Sequence, residues 1–262
     1  MNSTEKPLIL VTNDDGITAP GLRALIEMMN EIGEVYVVAP DSPQSGMGHA
    51  ITVDSTLFCE KVKIDDGPQS DREWACSGTP VDCVKLALSK ILPRRPDICV
   101  SGINHGANSS INVIYSGTMS AAVEAGVDGL PAIGFSLCDF AYSADFSAGK
   151  EFIQKIVRES LEQKMPGGMV LNVNIPKLPK ESIKGIKVCR QAKAIWTESY
   201  DERKDPRGRT YYWLTGKFEN LDKGEDTDEW ALEEGYISVV PVQYDMTAYH
   251  YISELNDWNL DE

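Results

Sequence analysis

Two adjacent carboxylates, Asp14 and Asp15, follow directly on the apolar run at residues 8–11. Two unpaired aspartates this close together repel each other, so the pKa of one rises unless a cation lies beside them. A hard divalent cation removes the repulsion, and it prefers oxygen ligands. The alternative interpretation is structural. Asn13 and Gly16 flank the pair, and Asn, Asp and Gly are the usual residues of a turn.

Polar residues also follow two later apolar runs, and one cluster contains Ser45 and the other Asn104. The carboxyl ends of the strands in an open parallel sheet lie along one edge, and ligands bind in the crevice there. The Ser45 hydroxyl and the Asn104 amide oxygen would then meet Asp14 and Asp15. This all-oxygen set contains no sulfur or imidazole that would favour zinc, so it predicts a site for Mg²⁺ or Mn²⁺. The coincidence of three clusters favours a metal site over a simple turn.

Small residues dominate two further segments, residues 101–108 and 115–120. Small side chains let backbone amides approach an anion, and a helix that begins near residues 116–120 would direct its free N–H groups at that anion. Ser116 and Thr118 add hydroxyl donors for phosphate oxygens. The pattern is neither a P-loop nor a dinucleotide fingerprint, because the required lysine and spacing are absent. The alternative is a flexible loop.

Other candidate nucleophiles and ligands are less favoured. His49 and His105 lie near the polar clusters, yet a lone histidine more often supports a site than reacts in it. His250 has no partner nearby in the sequence, and we interpret it as structural. Ser45 could act as a nucleophile, but no Asp and His with a recognisable spacing accompany it. Metal ligation is therefore the preferred role for Ser45.

The elements that must position these residues alternate along the first 180 residues. Apolar runs predict buried strands at residues 8–11, 34–39, 97–100, 131–137 and 169–175, and helical spacing predicts helices at 20–29, 81–92 and 152–161. Thr18 and Thr79 are the predicted caps of the first two helices. Alternating β and α elements predict an α/β fold with a parallel sheet covered on both faces.

The pattern changes after about residue 180, where residues 209–214 and 236–240 resemble hairpin or edge strands between charged loops. We expect residues 1–180 to form the catalytic core and residues 181–262 to form a β extension of the same domain that serves oligomerisation. Aromatic side chains in this part are candidate interface anchors: Trp196, Tyr211, Tyr212 and Trp213. Ordinary surface strands are the alternative.

Composition excludes several classes of protein. The 262-residue chain carries a net charge of −15, which disfavours binding to a nucleic-acid duplex. Its apolar runs are all too short for a membrane span, so no membrane partner is expected. The six cysteines are dispersed singly, which argues against a disulfide framework and for a reducing, cytoplasmic compartment. Cys99, inside an apolar run, is expected to be a buried, inert thiol.

Six segments in order resemble the survival protein SurE family, and they extend from about residue 8 to residue 242. They read LVTNDDG (10–16), VVAPDSPQSG (37–46), GTPVDCVKLAL (78–88), SGINHGAN (101–108), YSGTMSAAVEA (115–125) and TDEWALEEGYISVVPV (227–242). The resemblance implies a cytoplasmic, metal-dependent phosphatase of nucleoside 5′- and 3′-monophosphates. It also implies a Rossmann-like three-layer α/β/α sandwich whose mostly parallel sheet carries a C-terminal β-hairpin extension, assembled as a homodimer or homotetramer.

Matched motif by motif, the family's metal ligands correspond to Asp14, Asp15, Ser45 and Asn104. The hypothesis is hydrolysis of a phosphomonoester by a water that one divalent ion per subunit, Mg²⁺ or Mn²⁺, activates. Asp14 or Asp15 would also accept a proton. The residues expected to hold the phosphoryl group are Asn13, Asn108, Ser116, Gly117 and Thr118. Two alternatives remain open: a phosphotransferase in which Asp14 is phosphorylated, and a Mg²⁺-binding interaction module without turnover.

Overall fold

The computed structural model describes residues 6–258 and 260. A central mixed sheet and a separate two-stranded hairpin organise this part of the chain. The strands are β1 (Leu8–Thr12), β2 (Glu34–Pro40), β3 (Cys59–Val62), β4 (Glu73–Cys76), β5 (Ile98–His105), β6 (Ala132–Leu137), β7 (Val170–Ile175), β8 (Ile186–Val188), β9 (Ala194–Lys204), β10 (Thr210–Asn220) and β11 (Ile237–Val242).

Helices cover both faces of the central sheet. The helices are α1 (Pro20–Asn30), α2 (Pro80–Leu86), α3 (Gly117–Val127), α4 (Lys150–Glu162), α5 (Asp228–Glu233) and α6 (Ile252–Asn256). A π-helical turn (Ala87–Ile91) extends α2, and a 3₁₀ helix (Ser110–Ile114) precedes α3. The helices α1 and α4 pack over one face of the sheet, and α2 and α3 pack over the other. The predicted three-layer α/β/α fold is confirmed.

The strand order explains where a ligand can bind. The sheet runs β3-β4-β2-β1-β5-β6-β7-β11-β8, and its pairs are parallel except β3–β4 and β7–β11. From β1 the chain moves outward to β2, and it later returns to the other side of β1 as β5. Where the direction of the strand order reverses in this way, a crevice forms at the carboxyl ends of the two adjacent strands, here β1 and β5. The segments after β1 and at the end of β5 therefore face the same opening.

The helices α1 and α2 begin at different kinds of local sequence signal. Thr79 caps α2 in a capping box: its hydroxyl accepts from the Asp82 amide at 3.1 Å, and the Asp82 carboxylate accepts from the Thr79 amide at 2.9 Å. The prediction that Thr18 caps α1 is wrong. Ala19 occupies the cap position without a side-chain hydrogen bond. Pro20 starts α1 because its ring fixes φ at a helical value and its nitrogen needs no acceptor.

The strands after residue 180 belong partly to the central sheet and partly to a separate hairpin. The strand predicted at residues 236–240 is β11, which lies inside the central sheet between β7 and β8. The segment predicted at residues 209–214 lies in β10, which pairs only with β9 among the described strands. These two strands form a long antiparallel hairpin whose side chains are mostly exposed. The expected C-terminal hairpin is therefore confirmed, although β11 belongs to the sheet.

The cysteines correct one expectation. Cys59 and Cys76 form a disulfide across the antiparallel pair β3–β4, where they stand directly opposite each other. The other four cysteines are free thiols. Cys99 is fully buried in β5, as predicted, and burial raises the pKa of its thiol to about 12. Within residues 6–258 and 260, no helix has the length and apolar character that crossing a membrane requires.

Candidate functional site

Asp14 stands at the carboxyl end of β1 and is only 4% exposed. The Thr118 hydroxyl, from the first turn of α3, donates a hydrogen bond to Asp14 Oδ1. Burial raises the pKa of Asp14 to about 6, the Thr118 hydrogen bond opposes that rise, and the neighbouring Asp15 charge adds to it. A cation beside a carboxylate favours its charged form. The environment of Asp14 therefore favours a bound cation.

Asp15 and Asn13 flank Asp14 and have different surroundings. Asp15 Oδ2 is buried and has no hydrogen-bond partner among the described residues. Burial raises the pKa of Asp15, and the nearby His105 opposes this rise. The Asn13 side chain closes the turn instead: its Oδ1 accepts from the Gly16 amide at 3.2 Å and its Nδ2 donates to the Gly16 carbonyl at 3.1 Å. Asn13 thus holds the turn that presents the two carboxylates.

The Asn104 amide is oriented by its own chain. Its Nδ2 donates to the carbonyl oxygens of His105 and Gly106, at 3.2 Å and 2.8 Å. The amide oxygen points the other way and lies 3.5 Å from the Thr118 hydroxyl that also binds Asp14. Asn104 Oδ1 and Asp14 Oδ1 therefore lie around the same hydroxyl group; Asn104 is in β5, and Asp14 follows the end of the neighbouring strand β1. The arrangement leaves the amide oxygen available as a ligand.

Ser45 lies on an exposed loop after β2. The loop is fastened to the β1 turn in two places: the Gln44 amide donates to the Asp14 carbonyl at 2.7 Å, and the Ile17 amide donates to the Pro40 carbonyl at 2.8 Å. These backbone hydrogen bonds hold Ser45 at the same opening as Asp14. Of the four predicted ligands, Ser45 has the most exposed surroundings.

The first turn of α3 approaches Asp14 from the side. Ser116 is the cap residue, and its hydroxyl oxygen accepts from the Met119 amide at 3.0 Å. The first amides of a helix have no intrahelical acceptor, so they are available to groups outside the helix. The Thr118 amide faces the Asp14 carboxylate and, like the Thr118 hydroxyl, lowers its pKa. A Cβ on Gly117 would lie 2.6 Å from Asp14 Cβ and 2.8 Å from Asp14 Oδ2. Only glycine allows the helix to pack this closely on the carboxylate.

A buried amide network fixes Asn108. Asn108 Nδ2 donates to the Ser136 hydroxyl at 2.9 Å, and its backbone amide donates to Asn174 Oδ1 at 2.8 Å. Asn172 Nδ2 donates to the Asn108 carbonyl at 2.8 Å, and Asn174 Nδ2 donates to Asn172 Oδ1 at 3.0 Å. The network ties the loop after β5 to β6 and β7. It holds Asn108 in one position at the wall of the opening.

A cavity of about 260 Å³ collects the predicted residues. Its wall includes five of them: Asp14, Ser45, Asn104, Asn108 and Ser116. The other four are not part of the wall: Asn13 and Asp15 adjoin Asp14 in the chain, and Gly117 and Thr118 follow Ser116. The cavity thus has carboxylate and amide oxygens on one side and a helix N-terminus on the other.

The donor set suits a hard divalent cation. The described residues contain no group of three or more His, Cys, Asp and Glu side chains placed to hold a metal. The predicted set has only two carboxylates, and its other members are a hydroxyl and an amide oxygen. Such neutral oxygens are ordinary ligands of Mg²⁺ and Mn²⁺. Asp15 Oδ2, which has no partner among the described residues, and Asn104 Oδ1, whose one contact is the Thr118 hydroxyl at 3.5 Å, provide two of the oxygens that this chemistry requires.

The histidines lie away from the cavity wall or serve other contacts. His105 Nδ1 lies 2.9 Å from the Ala141 carbonyl, and the ring packs against Tyr142 and edge-on against Phe146. His49 Nε2 lies 2.8 Å from a carboxylate oxygen of Glu124 on α3, so it links the Ser45 loop to that helix. Both histidines therefore hold neighbouring segments together and do not line the cavity.

Several residues of the site were not predicted. Asn172 and Asn174 alternate inside the apolar strand β7, and two buried amides on one face of a strand are a detectable signal. Asn112, Tyr115 and Trp196 line the cavity. Trp196 had been predicted only as an interface anchor. Its position on the cavity wall depends on how the hairpin is placed, which local sequence does not encode.

The fold and the cavity together define a class: Rossmann-like α/β proteins with a ligand site at the carboxyl edge of the sheet, here between acidic oxygens and a helix N-terminus. Within that class the chain belongs to the survival protein SurE family, whose model matches residues 9–198. The family resemblance drawn from the sequence motifs is thereby confirmed.

Relatives and a solved structure match nearly the whole chain. A 5′-nucleotidase SurE from Christiangramia forsetii is 66% identical over 98% of this chain and 99% of its own. A 5′-nucleotidase SurE from Flavobacterium johnsoniae is also 66% identical, over 98% of each chain. The crystal structure of SurE protein from Aquifex aeolicus superposes with a TM-score of 0.81 at 38% identity, covering 95% of this chain and 98% of that one.

Proposed function

We propose that this chain is a divalent-metal-dependent phosphomonoesterase that hydrolyses nucleoside 5′- and 3′-monophosphates to nucleoside and phosphate. The observation that carries the proposal is the meeting of Asp14 with the N-terminus of α3 in one cavity. A cation site and an anion site side by side are what phosphoryl transfer needs, since it depends mainly on positioning and charge neutralisation. The names of the relatives support the same activity.

The residues that would hold one Mg²⁺ or Mn²⁺ ion are Asp14, Asp15, Ser45 and Asn104. A bound divalent ion neutralises charge on phosphoryl oxygens and lowers the pKa of water. Asp14 and Asp15 are also the groups proposed to take up a proton from the water, because they are the two carboxylates of this donor set. Asn13 supports them by closing the turn on which they stand.

The phosphoryl group would lie against α3. The Ser116 hydroxyl accepts from the Met119 amide, so its own proton is free to bind a phosphoryl oxygen. The Gly117 amide adds a donor at the positive end of the helix. Thr118 completes this turn, and its hydroxyl and amide hold the adjacent Asp14 carboxylate. Asn108, held by its amide network, faces the same space. These groups would stabilise the charge that shifts to the phosphoryl oxygens and the leaving group.

The decisive measurement is phosphate release from AMP by the purified chain, after treatment with EDTA and again after Mn²⁺ is added. We expect release only with the metal. A matched assay with 3′-AMP tests the wider substrate range. Protein that releases no phosphate from either nucleotide above background, with any divalent metal, would contradict the proposal and favour an interaction module. A base-labile phosphoenzyme that is trapped with AMP would favour attack by Asp14 over attack by water.

We also propose that the chain forms a homodimer or homotetramer. Large side chains are exposed on the hairpin and on the segment after β11; they include Tyr212, Trp213, Tyr249, Tyr251 and Trp258. Exposed aromatic residues in this number are typical of a protein interface. Light scattering coupled to gel filtration gives the mass directly. A single-chain mass at micromolar concentration would contradict the assembly.

The proposed compartment is the cytoplasm. Cys59 and Cys76 are bonded to each other, whereas the other four cysteines are free and three of these, Cys83, Cys99 and Cys189, are buried. Such thiols are typical of a reducing compartment. Fractionation of cells that express the tagged chain tests this location, and its recovery outside the cytoplasmic fraction would contradict it.

A further inference from the structure

A second cavity of about 460 Å³ continues from the candidate active site. The two cavities share part of their walls; the shared residues are Gly46, Asn112, Tyr115 and Trp196. The far wall of the second cavity is formed by the hairpin. A ligand held at the N-terminus of α3 can therefore extend from the first cavity into the second.

Trp196 forms a fixed aromatic surface between the two cavities. Its Nε1 donates to Asn112 Oδ1 at 2.8 Å, which ties β9 to the 3₁₀ helix. Its ring lies 5.7 Å from that of Phe218, at an interplanar angle of 65°, and the two residues are paired across β9 and β10. The Trp196 side chain nevertheless remains 42% exposed. The ring is held in place on one side and open on the other.

Tyr115 supplies a second aromatic ring at the same boundary. It is 50% exposed and stands directly before Ser116, the cap of α3. The chain thus presents an aromatic ring and the phosphoryl donors in succession. This order suits a ligand that has a planar group close to a phosphate, as a nucleotide does.

The charge of the second cavity indicates whether it holds the nucleoside part of a substrate or an extended phosphate chain. Across the hairpin, Glu198 stands opposite Gly216, which has no side chain. Both residues line the cavity, together with the apolar Leu214. Among the described residues that line it, none is Lys or Arg. A carboxylate without a cation disfavours a second phosphate and accepts hydrogen bonds from amino or hydroxyl groups. The cavity therefore suits the nucleoside part of a substrate rather than an extended phosphate chain.

We propose that Trp196 and Tyr115 form the surface on which the base of the substrate nucleotide stacks, with Glu198 as an acceptor for the nucleoside. This inference rests on the proposed phosphomonoesterase function. Stacking is tolerant of base identity because every base has a π face. Purines, which have the larger face, are the better substrates.

The experiment compares AMP with ribose 5-phosphate, which has the same phosphate and sugar but no base. Wild-type chain and Trp196→Ala are assayed at saturating Mn²⁺. We expect Trp196→Ala to raise KM for AMP by roughly 10-fold or more, since base stacking on an aromatic ring contributes on that order. The parameters for ribose 5-phosphate should change less than about 2-fold. Trp196→Phe should recover part of the AMP affinity, because it retains a stacking surface.

Trp213→Ala is the matched control, because Trp213 is exposed on the same hairpin and does not line either cavity. This variant should leave kcat and KM unchanged for both AMP and ribose 5-phosphate. Equal losses on AMP and ribose 5-phosphate in Trp196→Ala would overturn the stacking role and assign Trp196 to structure alone. Unchanged kinetics on AMP would overturn it as well. A wild-type chain that releases phosphate from neither substrate would instead contradict the proposed function itself.

Discussion

The edge of the sheet around Asp14 and the β9–β10 hairpin use polar and apolar residues in opposite ways. At the sheet edge the polar side chains are buried and tied to one another, as the Thr118 to Asp14 hydrogen bond illustrates. On the hairpin, large apolar side chains such as Trp213 are exposed. A two-stranded hairpin is at most marginally stable alone in water, so its form depends on what covers it.

The two regions differ in whether their side chains are already in position before another molecule binds. The groups at the sheet edge are already oriented without substrate, so little reorganisation remains for the chemical step. The hairpin surfaces are completed only by another molecule, either a nucleotide at Trp196 or a second subunit at the outer aromatic residues. Substitutions at the sheet edge should therefore reduce turnover, whereas those on the hairpin should alter substrate affinity or assembly.

The largest effect is expected from Asp14→Asn. The variant removes a charged ligand from the candidate metal site and keeps the side-chain shape, so kcat should fall by at least about 100-fold. The thermal midpoint of the metal-free protein should be unchanged or higher. Without metal the buried Asp14 charge has no cation beside it, and the substitution removes this unfavourable charge. The control is Asp41→Asn on the neighbouring loop, where the carboxylate is exposed and bonded to Ser42. Activity retained in Asp14→Asn would remove this residue from the active site.

Gly117→Ala tests whether close packing at the sheet edge matters. The added Cβ would stand 2.6 Å from Asp14 Cβ, so either the helix or the carboxylate must shift. A displacement on the order of 1 Å costs about 100-fold in rate. Alanine is otherwise a better helix former than glycine, so a small change in thermal midpoint with a large loss of kcat would isolate the positioning effect. Full activity would show that the contact is not needed.

The same contrast explains what the sequence could predict. Strands such as β1 are buried on both faces, and their continuous apolar runs identified them and the polar residues that follow them. The Thr79 cap of α2 was also predictable, because its capping box lies within four residues. These features depend on local sequence, and the sheet topology then brings Asp14 and Asn104 to adjacent strand ends.

Long-range placement could not be predicted in the same way. Cys59 and Cys76 meet only because β3 and β4 pair, and their separation of 17 residues gives no sign of it. Trp196 is predicted from the sequence only as an interface anchor, because it is one of several aromatic residues in a β extension. Its hydrogen bond to Asn112 joins residues 84 positions apart. Such contacts follow from packing between elements and not from local pattern.

A smaller effect on turnover is expected from Asn174→Ala, which breaks the amide network behind Asn108. Asn174 accepts from the Asn108 amide and donates to Asn172, and both bonds are buried. Leaving these groups unpaired should lower the free energy of unfolding by about 1–3 kcal/mol. Turnover should fall by roughly 10-fold as the loop loses its position. Denaturant unfolding and AMP kinetics measure the two effects. Asn174→Leu, which keeps the branched shape of the side chain without its polar atoms, separates lost hydrogen bonds from lost volume. Unchanged kinetics would show that Ser136 and Asn172 hold Asn108 in position without Asn174.

The smallest effect on activity is expected on the outer surface of the hairpin. Tyr212→Ser combined with Trp213→Ser removes two exposed aromatic rings that line neither cavity. The kcat for AMP should change less than about 2-fold, because the sheet edge is preorganised without them. The solution mass should fall toward that of a single chain if these rings bury apolar area between subunits, which contributes about 25 cal/mol for each Å². Light scattering and steady-state kinetics on the same sample test both statements. A large loss of kcat at an unchanged mass would contradict the separation of roles, because the outer face of the hairpin would then be part of the catalytic apparatus.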